Sequence, residues 1–162
     1  MSILKWILIV VLGLVVLAVL AGQLGMLAGQ PVARLGVNQG KLAAPSTTPN
    51  SVSSQADLWP AAPRRDEARI APLPLNGDAA ATMARLKAIV EKTPGARVVE
   101  SRADYLYAQY TTRLMKFVDD VEFWFDPAAG VVQVRSASRL GQKDFGVNRA
   151  RVESIRQALA AP

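Results

Sequence analysis

Between Lys5 and Arg34 the chain carries no charged side chain, and the run from Ile7 to Gly22, ILIVVLGLVVLAVLAG, is apolar around its whole circumference. A helix built from such a run has no polar face to turn toward water, so its natural surroundings are hydrocarbon. About 20 residues rising about 1.5 Å each cross a bilayer core, and the run is long enough to do so with some tilt. Residues 1–33 are therefore expected to form a transmembrane anchor that meets lipid over residues 3–29. A cleaved secretory leader would end its apolar core at a small-x-small site, whereas here apolar residues continue through Gln23-Leu24-Gly25-Met26-Leu27. The α-amine and Lys5 on one side nearly balance Arg34 and Lys41 on the other. A very short tail ahead of a first apolar segment reads as a signal-anchor, with the rest of the chain exported. The expectation is a single-pass protein of a bacterial inner membrane with a periplasmic domain. Ala18, Gly22, Gly25 and Gly29 recur at spacings of four, three and four, a small-residue stripe through which two such helices would self-associate.

Composition narrows the chemistry. The chain has no cysteine and no histidine, which removes disulfides, thiol nucleophiles, cysteine–histidine zinc sites and any serine–histidine triad. No catalytic residue, metal ligand or cofactor is expected. The net charge of +6 raises nucleic acid as a partner, but its distribution argues against one. From Glu100 to Asp126 three basic residues face six acidic ones, whereas from Val131 onward six basic residues face only Asp144 and Glu153. The two segments can neutralise each other inside a fold, and no unopposed basic face with interleaved aromatics remains.

Residues 34–57 change character, with Pro45, Pro49, Gly36, Gly40 and a cluster of Ser and Thr. No apolar periodicity persists there, so the segment reads as a tether and lead-in to a soluble domain over 58–162. Within the lead-in, Asn50, Ser53 and Ser54 belong to a polar stretch that forms either linked turns or a hydrogen-bonding loop at a ligand site. Arg69 to Leu73 reads as a short edge strand, confined there by Pro72. Asp78 is positioned as an N-cap for a helix whose stripe is Met83, Leu86 and Val90, stopped by Thr93-Pro94-Gly95. Strands follow. In Tyr105 to Leu114 the set Leu106, Ala108, Tyr110, Thr112 and Leu114 faces the core. In Phe117 to Phe125 the core set is Phe117, Val121, Phe123 and Phe125, with Asp119 an oddity among them. A turn at Asp126-Pro127-Ala128-Ala129-Gly130 returns the chain into Val131 to Ala137. A last helix carries Val152, Ile155 and Leu159, pairs Arg149 with Glu153 on its exposed side, and takes its cap from Asp144 or Asn148. The fold class is α+β: a transmembrane helix, then a small antiparallel sheet packed with two helices.

Three ordered stretches, PNSVSSQA near residue 50, FVDDVEFWFD from Phe117 and VRSASRLGQKDFGVNRARVESIR from Val134, resemble the family catalogued as domain of unknown function 1499. The resemblance spans residues 47 to 160. It implies a small domain of bacteria and plastids, often behind a signal or anchor, without an established activity. It also implies one departure: many members have cysteine where this chain has Ser51.

Candidate ligand-binding residues are Asn50, Ser53, Ser54, Asp119, Asp120, Glu122, Arg135, Ser136, Ser138, Arg139, Asn148 and Arg149. Cross-strand neighbours lie about 5 Å apart, so Arg113, Asp120, Glu122 and Arg135 are expected to share the outer sheet face, most simply as a solvated ladder. Asp119, Asp120 and Glu122 also offer oxygen ligands to a hard cation, though no ligand loop surrounds them. Ser136, Ser138, Arg139 and Gly141, running into a helix N-terminus, have the chemistry of an anion cradle. The sequence favours a non-catalytic structural or assembly role at the membrane, with an as yet unidentified protein partner. Small-molecule or anionic-ligand binding is the alternative, and a carboxylate-based hydrolase is the third reading.

Overall fold

A computed structural model describes residues 2–32 and 34–161; the expected anchor boundary at Ala33 lies outside them. Helix α1 (Ile3–Gln23) has a mean hydropathy of 3.0 over its most apolar window and is long and apolar enough to cross a membrane. It closes by a left-handed cap. Gly25 takes φ +78°, the Met26 N–H reaches back to the Ala21 carbonyl and the Gly25 N–H to that of Gly22, which satisfies the last carbonyls where side chains do not.

The rest of the chain is an antiparallel sheet flanked by helices. Strands β1 (Ser51–Ser53), β2 (Ala96–Ser101), β3 (Tyr105–Thr111), β4 (Val118–Asp126) and β5 (Val131–Ser138) lie in the order β1-β5-β4-β3-β2. A four-residue helix, α2 (Arg65–Ala68), precedes α3 (Ala79–Lys92), and α4 (Val147–Ala160) ends the fold. The α+β class expected from the sequence is what the chain adopts. Helices α3 and α4 pack on one sheet face, where Leu86, Val90, Val121, Phe123, Val132, Val134, Val152, Ile155 and Leu159 form the main core. Asp78 caps α3 by accepting from the Ala81 N–H at 2.7 Å.

Several local expectations differ from the fold. Strand β3 stops at Thr111, because a turn over Thr112–Phe117 carries Lys116 at φ +55°; Leu114 is thus not core but 60% exposed, and Phe117 also lies outside its strand. Arg69 and Leu73 make only isolated bridges, to Ser53 and Val132, as Pro72 between them would suggest. Arg149 does not pair with Glu153. It donates to the Glu67 and Arg69 carbonyls, and Glu153 instead pairs with Arg156.

The second sheet face is not open to water. Leu35 to Ser46 lies across it, tightened by a two-residue turn at Gln39 (φ +51°) and Gly40 (φ +72°), which lets Asn38 and Lys41 bridge. Leu42, Tyr105, Tyr107 and Trp124 form a second apolar cluster there, with Leu35 and Val37 packed against it. Hydrogen bonds fasten this strap, among them one from the Ser46 N–H to Ser51 Oγ at 2.9 Å. The Gly36 N–H donates to Glu122 Oε1 at 2.7 Å, the Leu42 N–H to Gln55 Oε1 at 2.8 Å, Gln55 Nε2 to the Gly40 carbonyl at 2.9 Å and Arg135 Nε to the Ala44 carbonyl at 3.2 Å.

Candidate functional site: an arginine-lined cleft under the strap

Strand β4 carries three carboxylates in four positions, and alternation sends them to opposite faces. Asp119 points toward the helices, where Arg151 of α4 meets it at 2.5 Å and lies over the Tyr110 ring at 4.6 Å. The oddity in the apolar face is thus one end of an ion pair that ties α4 to the sheet. Asp120 and Glu122 point the other way, beneath the strap. The three do not converge on one point as a cation site would require.

Arg139, just past β5, grips Asp120 with two parallel bonds, Nε to Oδ2 at 2.9 Å and Nη2 to Oδ1 at 2.8 Å, a fork that fixes orientation as well as charge. The Tyr107 hydroxyl donates to the same carboxylate at 2.6 Å. The hydrogen bonding of Arg139 to Asp120 is the main cause holding its guanidinium above its ordinary range.

Glu122 and Arg135 are direct cross-strand partners. Both are fully buried, so the solvated ladder expected here is instead an interior pair, and Arg113 takes no part because it sits in the exposed β3–β4 turn. Glu122 Oε1 accepts from the Tyr105 hydroxyl at 2.8 Å and from the Gly36 N–H. Its other oxygen stands 3.6 Å from Arg135 Nη1 and has no hydrogen-bond partner. Burial pushes Glu122 above the usual carboxylate range, against the pull of the Gly36 N–H and the Arg135 charge, and pushes the Arg135 guanidinium down. Tyr105 is pushed far up by burial and by the neighbouring Glu122 charge. Arg135 spends only Nε on the strap; both Nη1 and Nη2 are buried with no hydrogen-bond partner.

Arg135 is one of the residues around a cleft of about 550 Å³ between the strap and the sheet. Arg34, Arg135, Arg139, Asp120 and Asn50 supply its polar wall, and Val32, Ala43, Ala44, Pro45 and Ala137 much of its apolar one. Asn50 Oδ1 is a further buried atom without a partner, while Asn50 Nδ2 donates to the Gly141 carbonyl at 2.8 Å.

The remaining candidates divide. Ser136, Ser138 and Asn148 form a network on the helix side: Asn148 Nδ2 donates to the Asn50 carbonyl and to Ser138 Oγ, and Ser136 Oγ donates to Asn148 Oδ1. Ser53 Oγ accepts from the Gln55 N–H, and Ser54 bonds Gln133 and the β5 backbone. Arg149 stands apart on the α2 side. The N-terminus of α4 is already filled by a carboxylate, since Asp144 accepts from the Gly146 and Asn148 N–H groups at 3.0 and 2.9 Å. Burial pushes the Asp144 carboxyl up, but the hydrogen bonds it accepts, led by those from the Asn148 and Gly146 N–H groups, together outweigh it and leave the group below its usual range. Arg139 and Gly141 therefore line the cleft and leave the helix terminus to Asp144, while Ser138 lines the cleft and also accepts from Asn148.

Sequence reasoning left out Tyr105, Tyr107, Gln55 and Arg34. The two tyrosines carried a usable signal, since they share the parity of Asp120 and Glu122 across the β3–β4 ladder. Arg34 carried none, lying in a segment without periodicity.

No curated protein and no solved structure matches the chain. Residues 41–159 match the family described as protein of unknown function DUF1499, and that interval holds the whole sheet, helices α2 and α3 and all but the last residue of α4. By that match over most of its length, the chain belongs to this family.

Proposed function

We propose that this protein is a membrane-tethered binding module that holds a small anionic molecule, bearing a carboxylate or phosphate group, in the cleft beneath its strap. The observation that carries the reading is Arg135, which lines the cleft and whose Nη1 and Nη2 are buried without a hydrogen-bond partner, Nη1 standing only 3.6 Å from Glu122. A buried donor left unpaired costs about 1–3 kcal/mol, more when charged, so such a group is retained where something pairs with it. A guanidinium beside a cavity with two N–H groups free of hydrogen bonds suits a planar carboxylate or a phosphate. The volume lies in the range of small-molecule sites, about 300–1,000 Å³.

This places ligand capture ahead of the purely architectural role that the sequence favours. It also stands ahead of hydrolysis, because Asp120 is already gripped by Arg139 and Tyr107, and Glu122 by Tyr105 and Gly36. In this reading α1 is a signal-anchor in the bacterial inner membrane and the domain faces the periplasm. A ligand that binds only the folded state raises Tm. Full-length protein in nanodiscs should melt higher with inorganic phosphate or succinate than with equal ionic strength of chloride, and Arg135→Gln should erase the difference. Equal melting in all three salts refutes the reading. A C-terminal reporter active only in the cytoplasm refutes the orientation.

A further inference from the structure

The end of the domain where α1 enters has a second character. Gln23, the first polar side chain after the apolar run, donates from Nε2 to the Leu114 carbonyl at 2.8 Å. The Gly22 Cα lies so near the Met115 carbonyl that an added Cβ would stand 2.5 Å from its oxygen, and an added Cβ on Gly29 would stand 2.8 Å from Leu140 and Arg139 side-chain atoms. The turn over Thr112–Phe117 and the loop from Arg139 to Gly146 therefore flank the exit of the helix. On these loops Leu114, Leu140 and Phe145 are exposed, Phe145 at 94%, and Leu24 and Met26 are exposed beside them on the chain leaving α1. Phe117, Leu140, Phe145 and Val147 share one shallow apolar depression of about 250 Å³.

Two of the three described non-glycine residues with positive φ are also here, Lys116 at +55° and Phe145 at +53°. The left-handed region is disfavoured for a bulky aromatic. Phe145 adopts it while its side chain buries almost nothing, so packing of the ring does not offset the strain. Along the chain Arg113, Lys116 and Lys143 stand within two residues of these apolar tips, and the one carboxylate beside Phe145, Asp144, is turned to the Gly146 and Asn148 N–H groups.

We infer that these two loops rest in the headgroup layer of the bilayer that α1 crosses, with Leu114, Leu140 and Phe145 seated among acyl chains and Arg113, Lys116 and Lys143 on anionic lipid phosphates. The inference rests on the reading of α1 as a membrane span and is independent of the cleft. Depth supplies the argument for lipid over another protein. If the apolar run fills the hydrocarbon core, the interface lies at Gln23, and the hydrogen bond from Gln23 sets Leu114 at that level. A face of aromatic and aliphatic tips ringed by lysine and arginine is the composition that partitions to that layer.

Because the chain has no cysteine, single-site labelling is clean. Full-length Leu12→Cys, Phe145→Cys and Ala128→Cys, each carrying an environment-sensitive fluorophore, are placed in nanodiscs of phosphatidylcholine and phosphatidylglycerol containing lipids brominated high on the acyl chain. Ala128 lies in the β4–β5 turn at the opposite end of the sheet. The expected result is strong bromolipid quenching at Leu12 and Phe145, several-fold above that at Ala128, with quenching at Phe145 reduced when Arg113, Lys116 and Lys143 are all changed to Gln. Quenching at Leu12 with Phe145 indistinguishable from Ala128 overturns the inference and leaves the anchor standing. No quenching at Leu12 overturns both. A Phe145 label shielded from aqueous iodide yet untouched by bromolipid assigns the face to a second copy and also overturns the inference.

Discussion

Arg135 and Glu122 stand opposite each other on β5 and β4 with 3.6 Å between guanidinium and carboxylate, and their side chains are 1% and 0% exposed. A pair this deep loses hydration that its mutual attraction need not restore. Here the attraction is loose, and the strap's backbone and Tyr105 take up the remaining capacity of Glu122 on one oxygen only. The pair is thus an incomplete arrangement beside the cleft, which Arg135 lines, and it is expected to make the region sensitive to pH.

Glu122 is held above its unfolded carboxylate range chiefly by burial. The folded chain then binds a proton more tightly than the unfolded one. The contribution of this group to stability is full below about pH 4.5 and is lost as pH rises through the folded value. Glu122→Gln, which stays neutral, should lack that fall. Denaturant unfolding across pH 4 to 7 should therefore show native stability declining relative to the variant, and parallel curves would contradict the assignment.

Asn148 lies wholly buried between α4 and β5, and donates to the Asn50 carbonyl and to Ser138 Oγ while accepting from Ser136 and Arg151. Asn148→Ala leaves several buried partners unpaired, at about 1–3 kcal/mol. Asn148→Asp keeps the acceptor for Ser136 and Arg151 but loses the donor. Both should lower the urea midpoint, with Ala no milder than Asp; an unchanged midpoint in both would show that the network is dispensable.

Gly22 lets α1 touch the Met115 carbonyl, and an added methyl at 2.5 Å meets backbone that cannot swing aside. Gly22→Val should part the helix end from the β3–β4 turn and break the Gln23–Leu114 bond. Limited proteolysis of the full chain in nanodiscs should then cut several times faster between Leu24 and Arg34, while the domain's own melting stays close to native. Equal cutting would mean that the helix is not docked there.

Much of the fold could be read from the residues. Period-3.6 stripes such as Met83, Leu86, Val90 and Val152, Ile155, Leu159 name buried faces because each helix meets only one neighbour layer. The β4–β5 turn at Asp126–Gly130 follows from its Pro and Gly. What could not be read is the strap. Its hydrogen bonds run from backbone N–H and carbonyl groups to the side chains of Glu122, Gln55 and Arg135 and leave no trace in side-chain periodicity, while Leu35, Val37 and Leu42 are too few to set one. Without the strap the outer sheet face looks solvated, which is why Glu122 and Arg135 read as a surface ladder and why the cleft has no sequence signature. Helix α2, at four residues, is too short to show a period, and the alternation past Thr111 runs on into a turn because only backbone φ at Lys116 ends the strand.

The most direct measurement is calorimetric titration of full-length protein in nanodiscs with inorganic phosphate and with succinate, repeated on two variants. Arg135→Gln removes the fork; the carboxyl of Glu122, already raised, can take up a proton in its absence. Ala43→Leu narrows the cleft and keeps every charged group. Saturable binding of at least one anion to the native chain, lost or weakened at least tenfold in both variants, is the predicted result. No saturable heat with either anion, or undiminished binding in both variants, would contradict the account.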